Sequence, residues 1–178
     1  MSKYKRGAYH FEEFRKDTLY RRHVNALLQE MILYEPATKI LDLGGGEGLI
    51  ASKLAALGYD IESWEIDSYA LALAAELKTP VRRGDMVVDE FPEGIDLVLA
   101  ADSLEHLTVD DRDRVLLKCQ EAGVLHLTIY IPDRPDAHAS DQPSKDQMIQ
   151  EAADRGYRLW IEDTRFARHL LFFKLRNP

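Results

Sequence analysis

The sequence predicts a three-layer α/β sandwich around a mostly parallel sheet that ends in an antiparallel strand. Three observations predict it. From Lys39 onward, short apolar runs alternate with helical stretches, the order that places helices on both faces of a parallel sheet. Residues 95–100 (Ile-Asp-Leu-Val-Leu-Ala) are apolar on both faces, as a strand in the middle of such a sheet must be. The last two runs, residues 157–161 and 167–175, lie too close together for a crossover helix, so they pair antiparallel.

Each element has its own signal. The first fifteen residues are basic and aromatic, with Tyr4, Tyr9, Phe11 and Phe14, and carry no clear period. From Asp17 the residues Tyr20, Val24, Leu27, Leu28 and Met31 fall on one helical face, and Pro36 stops that helix. Residues 1–36 read as a strap and helix within the same domain as 37–178. Residues 39–43 are a buried strand ended by glycines, and 49–57 a helix with Gly58 at its end. Residues 61–66 form a second strand. The Ala- and Leu-rich stretch 68–77 is a helix capped by Asp67. Residues 80–82 are a short third strand and 95–100 the fourth. Thr108, with Asp111 three residues on, opens a helix to Ala122 that Gly123 closes. Residues 124–131 are the fifth strand. Ser144 and Gln147 form a second capping box, opening a helix that ends at Gly156.

With 178 residues, 46% hydrophobic and 30% charged, the chain is one globular domain. Its 31 acidic and 23 basic residues give a net charge of −8, which disfavours broad wrapping of nucleic acid. The single Cys119 cannot form an internal disulfide, which fits a reducing cytoplasm. No run approaches the ~18 apolar residues of a membrane span. The basic start is followed by Gly7-Ala8-Tyr9-His10-Phe11 rather than an apolar signal core.

Ligands of such sheets bind beyond the carboxyl ends of the strands, here the segments after Leu43, Ile66, Gly84 and Ala100. The most informative stretch is Leu41-Asp42-Leu43-Gly44-Gly45-Gly46-Glu47-Gly48. Its glycines let the backbone turn sharply and approach a ligand, and the helix that follows presents free N–H groups. Gly46, Gly48 and Ala51 match a dinucleotide fingerprint. A carboxylate at Asp42 opposes a pyrophosphate, however, and suits a cationic group such as the ammonium of S-adenosylmethionine; Glu47 adds to that charge. Glu65, at the end of the second strand, can accept hydrogen bonds from both ribose hydroxyls. After the third strand, Asp85 is placed to accept from the adenine amine and Met86 to pack on the ring, although Asp85 reads equally as a simple turn acid.

In this order the residues resemble the class I S-adenosylmethionine-dependent methyltransferases, from about Lys39 to Leu175, and in particular the ubiquinone-biosynthesis-like branch that acts on small-molecule hydroxyls. The resemblance implies a Rossmann-like seven-stranded sheet and S-adenosylmethionine as cofactor. It implies cofactor contacts at Asp42, Gly44, Gly45, Gly46, Gly48, Glu65, Ile66, Asp85, Met86 and Ala101. The sequence departs from the family before the fifth strand, where Gln120-Glu121-Ala122-Gly123 stands in place of a Pro-Gly-Gly turn. It also lacks the Asn-Pro-Pro-Tyr motif of DNA amino-methyltransferases: Ala100-Ala101-Asp102-Ser103 occupies that place, which disfavours amino methylation of DNA bases.

Three segments are expected over the acceptor: the aromatic N-terminal stretch with Tyr9 and His10, residues 102–106, and the loop 132–143. That loop holds Asp133, Arg134, Asp136, His138 and Asp141 and is long enough for a lid. Asp102, Glu105 and His106 resemble a family pattern that, with a later His such as His138, holds Mg²⁺ or Mn²⁺. Without metal, His106 serves as a general base, or the group only shapes the turn; a metal is not the favoured reading. The expected function is methyl transfer to a small-molecule hydroxyl. The alternatives are a methyltransferase acting on RNA or protein, and a cofactor-binding scaffold without activity of its own.

Overall fold

The computed structural model describes residues 9–34, 39–132, 142–164 and 168–176. Two helices open the chain, α1 (Tyr9–Lys16) and α2 (Thr18–Tyr34). Strands and helices then alternate: β1 (Lys39–Leu43), α3 (Leu49–Ala56), β2 (Asp60–Glu65), α4 (Ser68–Leu77), β3 (Val81–Arg83) and β4 (Leu97–Ala101). A 3₁₀ turn, Leu104–His106, leads into α5 (Val109–Glu121), β5 (His126–Pro132), α6 (Lys145–Asp154), β6 (Tyr157–Asp163) and β7 (Arg168–Leu175).

The seven strands form one sheet in the order β3-β2-β1-β4-β5-β7-β6. Strands β1 to β5 are mutually parallel where they meet, and β7 runs antiparallel to both β5 and β6. The expected antiparallel pair is thus present, with β7 inserted between β6 and the parallel strands. Strand alternation sends side chains to two cores. Leu41, Leu43, Val98, Leu127 and Ile129 pack with Val115, Leu116, Met148 and Ala152 of α5 and α6. Ile40, Leu97, Leu99 and Phe172 pack with Val24, Leu27, Leu28 and Met31 of α2 and with Leu54 of α3. Cys119 belongs to the first core, is fully buried, and burial pushes its thiol up to about 12.

Local signals close the helices as expected. The Asp67 carboxylate accepts from Tyr69 and Ala70 N–H at 2.8 and 2.9 Å. Ser144 and Gln147 form the reciprocal box. At α5 the exchange differs: Thr108 accepts from Asp111 N–H at 3.2 Å, while its own hydroxyl donates to the Asp111 carboxylate at 2.9 Å. Buried Arg112 of α5 donates to both carboxylate oxygens of Glu151 on α6 at 2.9 and 3.0 Å, tying the two helices that back β4 and β5. Among the described residues, no helix is long and apolar enough to cross a membrane.

The chief departure is α1, which the aperiodic N-terminus did not predict. Its Phe11 and Phe14 pack at the edge of the α2–α3 core, with the Lys53 ammonium 3.9 Å from the Phe14 ring centre. The remaining support for α1 comes from the glycine loop.

Candidate active site

The chain leaves β1 toward β2 and β3 on one side and returns through β4 on the other, so the strand order reverses between β1 and β4. A crevice opens at such a reversal. Here it is a cavity partly open to solvent, and it is lined by His10, Val24, Leu27, Asp42, Gly44, Gly45, Leu49, Ile50, Ala101, Asp102 and Tyr130.

Main-chain geometry builds one end. Gly44 and Gly45 N–H both donate to the Trp64 carbonyl, at 2.9 and 3.0 Å, which folds the loop back over β2. A Cβ on Gly45 would lie 1.9 Å from Ser63 Oγ and 2.4 Å from Asp42 Oδ2, so this floor must stay bare. Gly48 has φ +85, a left-handed conformation that lets the loop enter α3. Asp42 is buried beneath the loop and accepts from Ser63 Oγ at 2.7 Å. Burial pushes its carboxyl up to about 7, against the Ser63 bond, with the nearby Glu65 charge adding to the rise.

Glu65 follows at the end of β2 and is 8% exposed. Its Oε2 accepts from Gly46 N–H at 2.9 Å, and its Oε1 from Ile66 and Asp67 N–H at 2.7 and 2.8 Å. A carboxylate has about four acceptor positions, so three are spent on main chain. Simultaneous contact with two ribose hydroxyls displaces one of these bonds or shares it.

Beyond β3, Gly84 lies against the Trp64 ring, where a Cβ would stand 2.6 Å from Cδ2. The Asp85 carboxylate accepts from Val87 N–H at 2.9 Å, and Asp85 N–H donates to Asp89 at 2.8 Å. Met86 reaches back toward the glycine loop, its Cε 3.4 Å from the position of a Cβ on Gly44. Ile66 is exposed at the rim.

Side chains from separate elements build the other end. Glu47 is completely buried, and its carboxylate turns to α1. It accepts from His10 N–H and from Phe11 N–H at 3.2 Å, and lies 2.9 Å from His10 Nδ1. A residue within the loop thereby caps the first turn of a helix 36 positions earlier. Burial raises the Glu47 carboxyl, but the His10 hydrogen bond and charge outweigh it and hold the group below the usual carboxylate range. Asp102 ends β4 with φ +51, its N–H bonded to the Tyr130 carbonyl at 3.0 Å.

The sequence-chosen residues divide accordingly. Asp42, Gly44, Gly45, Ala101, His10 and Asp102 meet at the cavity. Gly46, Gly48, Glu65, Asp85 and Met86 extend along the carboxyl ends of β2 and β3. Glu105 is buried and His106 exposed in the 3₁₀ turn, and neither lines the cavity. Among the described residues no three His, Cys, Asp or Glu side chains are grouped to hold a metal ion; His138 and residues 133–141 of the expected lid lie outside the described residues. Tyr130, Val24 and Leu27 line the cavity without having been singled out. A strand-end aromatic on β5 and the inner face of α2 were the available signals.

The cavity lining contains no Lys or Arg and includes two carboxylates, Asp42 and Asp102. That suits a sulfonium and an ammonium and opposes a pyrophosphate. The bare loop floor and the main-chain-held Glu65 fit an adenosyl group beside them. Similarity to known proteins points the same way. A family model described as a methyltransferase domain matches residues 41–122. An uncharacterized methyltransferase of Bacillus cytotoxicus is 25% identical over 170 residues, 90% of this chain and 69% of the relative. A second, from Bacillus mycoides, is 25% identical over 145 residues, 79% of this chain and 66% of its own length. The fold is that of magnesium protoporphyrin IX methyltransferase from Synechocystis PCC 6803, solved with S-adenosylmethionine bound: TM-score 0.71, 14% identity, 94% of this chain and 92% of that one. An acidic crevice and a family match spanning the loop that floors it lead to one conclusion: residues 41–122 match a methyltransferase domain, the fold is that of S-adenosylmethionine-dependent methyltransferases, and S-adenosylmethionine is the cofactor.

Proposed function

We propose that the chain methylates a hydroxyl group of an uncharged small molecule. The observation that carries this reading is the cavity itself. It runs from the glycine loop to His10, Asp102 and Tyr130 and is covered by side chains of α1 and α2. Acidic groups without a lining cation disfavour phosphorylated or carboxylated acceptors.

When bound, S-adenosylmethionine supplies an electrophilic methyl group. The protein's own residues do the rest. Gly44 and Gly45 present main chain to the donor, and Asp42 faces its cationic end. Glu65 is assigned to the ribose, Asp85 and Met86 to the adenine, and Gly46, Gly48, Ile66 and Ala101 to the walls. Of the histidines chosen from sequence, His10 lines the cavity and His106 does not. His10 is therefore assigned the acceptor's proton. With Nδ1 2.9 Å from the Glu47 carboxylate, Nε2 is the nitrogen assigned to accept it. Asp102 and Tyr130 orient the acceptor. The single buried Cys119 supports a cytoplasmic location.

A screen of small molecules, bulk RNA and protein extract with radiolabelled methyl donor tests this reading. Label in hydroxyl-bearing small molecules is the expected result. Label confined to RNA or protein overturns it, and binding of S-adenosylhomocysteine with no transfer to any acceptor indicates a scaffold.

A further inference from the structure

We propose that Lys118, on α5 and outside the cavity, is a positioning residue that sets selectivity for adenine over other purines. The inference rests on the reading of Asp85 and Met86 as the adenine edge.

Lys118 is half-buried, and its ammonium donates to the Met86 carbonyl at 2.9 Å and to the Asp89 carbonyl. It also stands 4.5 Å from the centre of the Phe91 ring, within cation–π range. Phe91 in turn meets Trp64 edge-on, with ring centres 5.8 Å apart. Trp64 is the residue whose ring Gly84 lies against and whose carbonyl holds Gly44 and Gly45. A single cation from α5 thus ties Met86 to Asp89 within the turn 85–89.

Inside that turn Asp85 and Asp89 exchange main-chain and side-chain hydrogen bonds. The turn and the residue after it hold three acidic side chains close together in sequence, Asp85, Asp89 and Glu90, which repel one another. Lys118 supplies the compensating charge and fixes the two carbonyls, so the direction of the Asp85 carboxylate is set by a residue that touches no ligand. A carboxylate held in place accepts from the 6-amino group of adenine and opposes the 6-carbonyl of hypoxanthine. Discrimination between them depends on its being fixed.

The test is calorimetric titration of wild type, Lys118→Met and Lys118→Arg with S-adenosylhomocysteine and its deaminated analogue, S-inosylhomocysteine. Asp85→Ala is carried alongside, and melting temperatures serve as a check on folding. We expect Lys118→Met to lose about tenfold in S-adenosylhomocysteine affinity, or ~1.4 kcal/mol. The preference over the inosyl analogue should fall by a similar factor, with Lys118→Arg keeping most of it. A merely structural lysine would weaken both ligands equally. An unchanged preference in Lys118→Met, with the preference lost in Asp85→Ala, overturns the role of Lys118. An unchanged preference in Asp85→Ala overturns the adenine assignment instead. Should Lys118→Met not fold, Lys118→Gln decides by the same ratio.

Discussion

The two ends of the cavity are built in opposite ways. The floor of the donor end is main chain and buried acid drawn from a contiguous stretch, Asp42 to Glu65, with its contacts made inside one β-α-β unit. The acceptor end is assembled from α1, α2, β4 and β5, whose residues meet only in the folded protein. The difference teaches where variation is tolerated. The donor end has a floor on which no side chain fits at Gly45. The proposed acceptor end rests on side chains drawn from four separate elements.

Substitutions can break or sharpen this contrast, and the largest effect belongs to the loop floor. Gly45→Ala places a methyl group on Ser63 Oγ and Asp42 Oδ2. Because the obstacle is a buried hydrogen-bonded pair, we expect a stability loss of about 1–3 kcal/mol. Binding of S-adenosylhomocysteine should vanish from calorimetry. Wild-type binding would mean that the donor end is as plastic as the acceptor end.

Glu65→Ala comes next. It removes the ribose acceptor together with three main-chain bonds, and affinity for S-adenosylhomocysteine should fall at least ~tenfold by titration. A loss below threefold would show that the carboxylate only holds its own loop.

A third expected outcome concerns pH. The folded Asp42 carboxyl titrates at about 7 against 3.8 ordinarily. The folded state therefore holds a proton that the unfolded state releases, and this group's contribution to stability falls as pH rises from about 3.8 to about 7. In thermal melts, Asp42→Asn should lose less stability than wild type between pH 5 and pH 8. An identical pH dependence in both proteins would place the buried charge elsewhere.

The smallest effect is local to the roof. Glu47→Gln keeps an acceptor for the two N–H groups of α1 but removes the charge facing His10. We expect faster hydrogen exchange in α1, with S-adenosylhomocysteine affinity within about threefold of wild type, as expected for a cap worth ~1 kcal/mol. Equal exchange protection would sever the link between loop and roof.

What was legible in the sequence follows the same boundary. The glycine loop, the Asp67 cap and the Ser144–Gln147 box were readable because each is a bargain between neighbours a few residues apart. The apolar alternation gave the sheet and the antiparallel partner of β6. It did not place β7 beside β5, since pairing order is decided by three-dimensional packing. Helix α1 was missed because its cap, Glu47, lies beyond an entire intervening helix in sequence. Glu47 itself was read as a charge facing the ligand, whereas it is spent on α1. The position of His106 outside the cavity lining has no local mark either. The 3₁₀ turn buries Leu104 and Glu105 and leaves His106 exposed, which no local pattern announces. The Lys118 clamp joins α5 to the turn after β3 across 32 positions and leaves no mark on either segment.

Cys119 turns this architecture into an instrument. It is the only thiol in the chain, fully buried in the α5–α6 core, and too weakly acidic to react where it sits. A disulfide reagent in neutral buffer can therefore modify the protein only when the core itself opens, and the colour it releases is a clock for global unfolding. A second cysteine placed on the inner face of α1, at Phe14, which packs on the α2–α3 core, would give a separate, faster signal. The ratio of the two rates, with and without S-adenosylhomocysteine, would time the opening of the roof against the life of the whole fold.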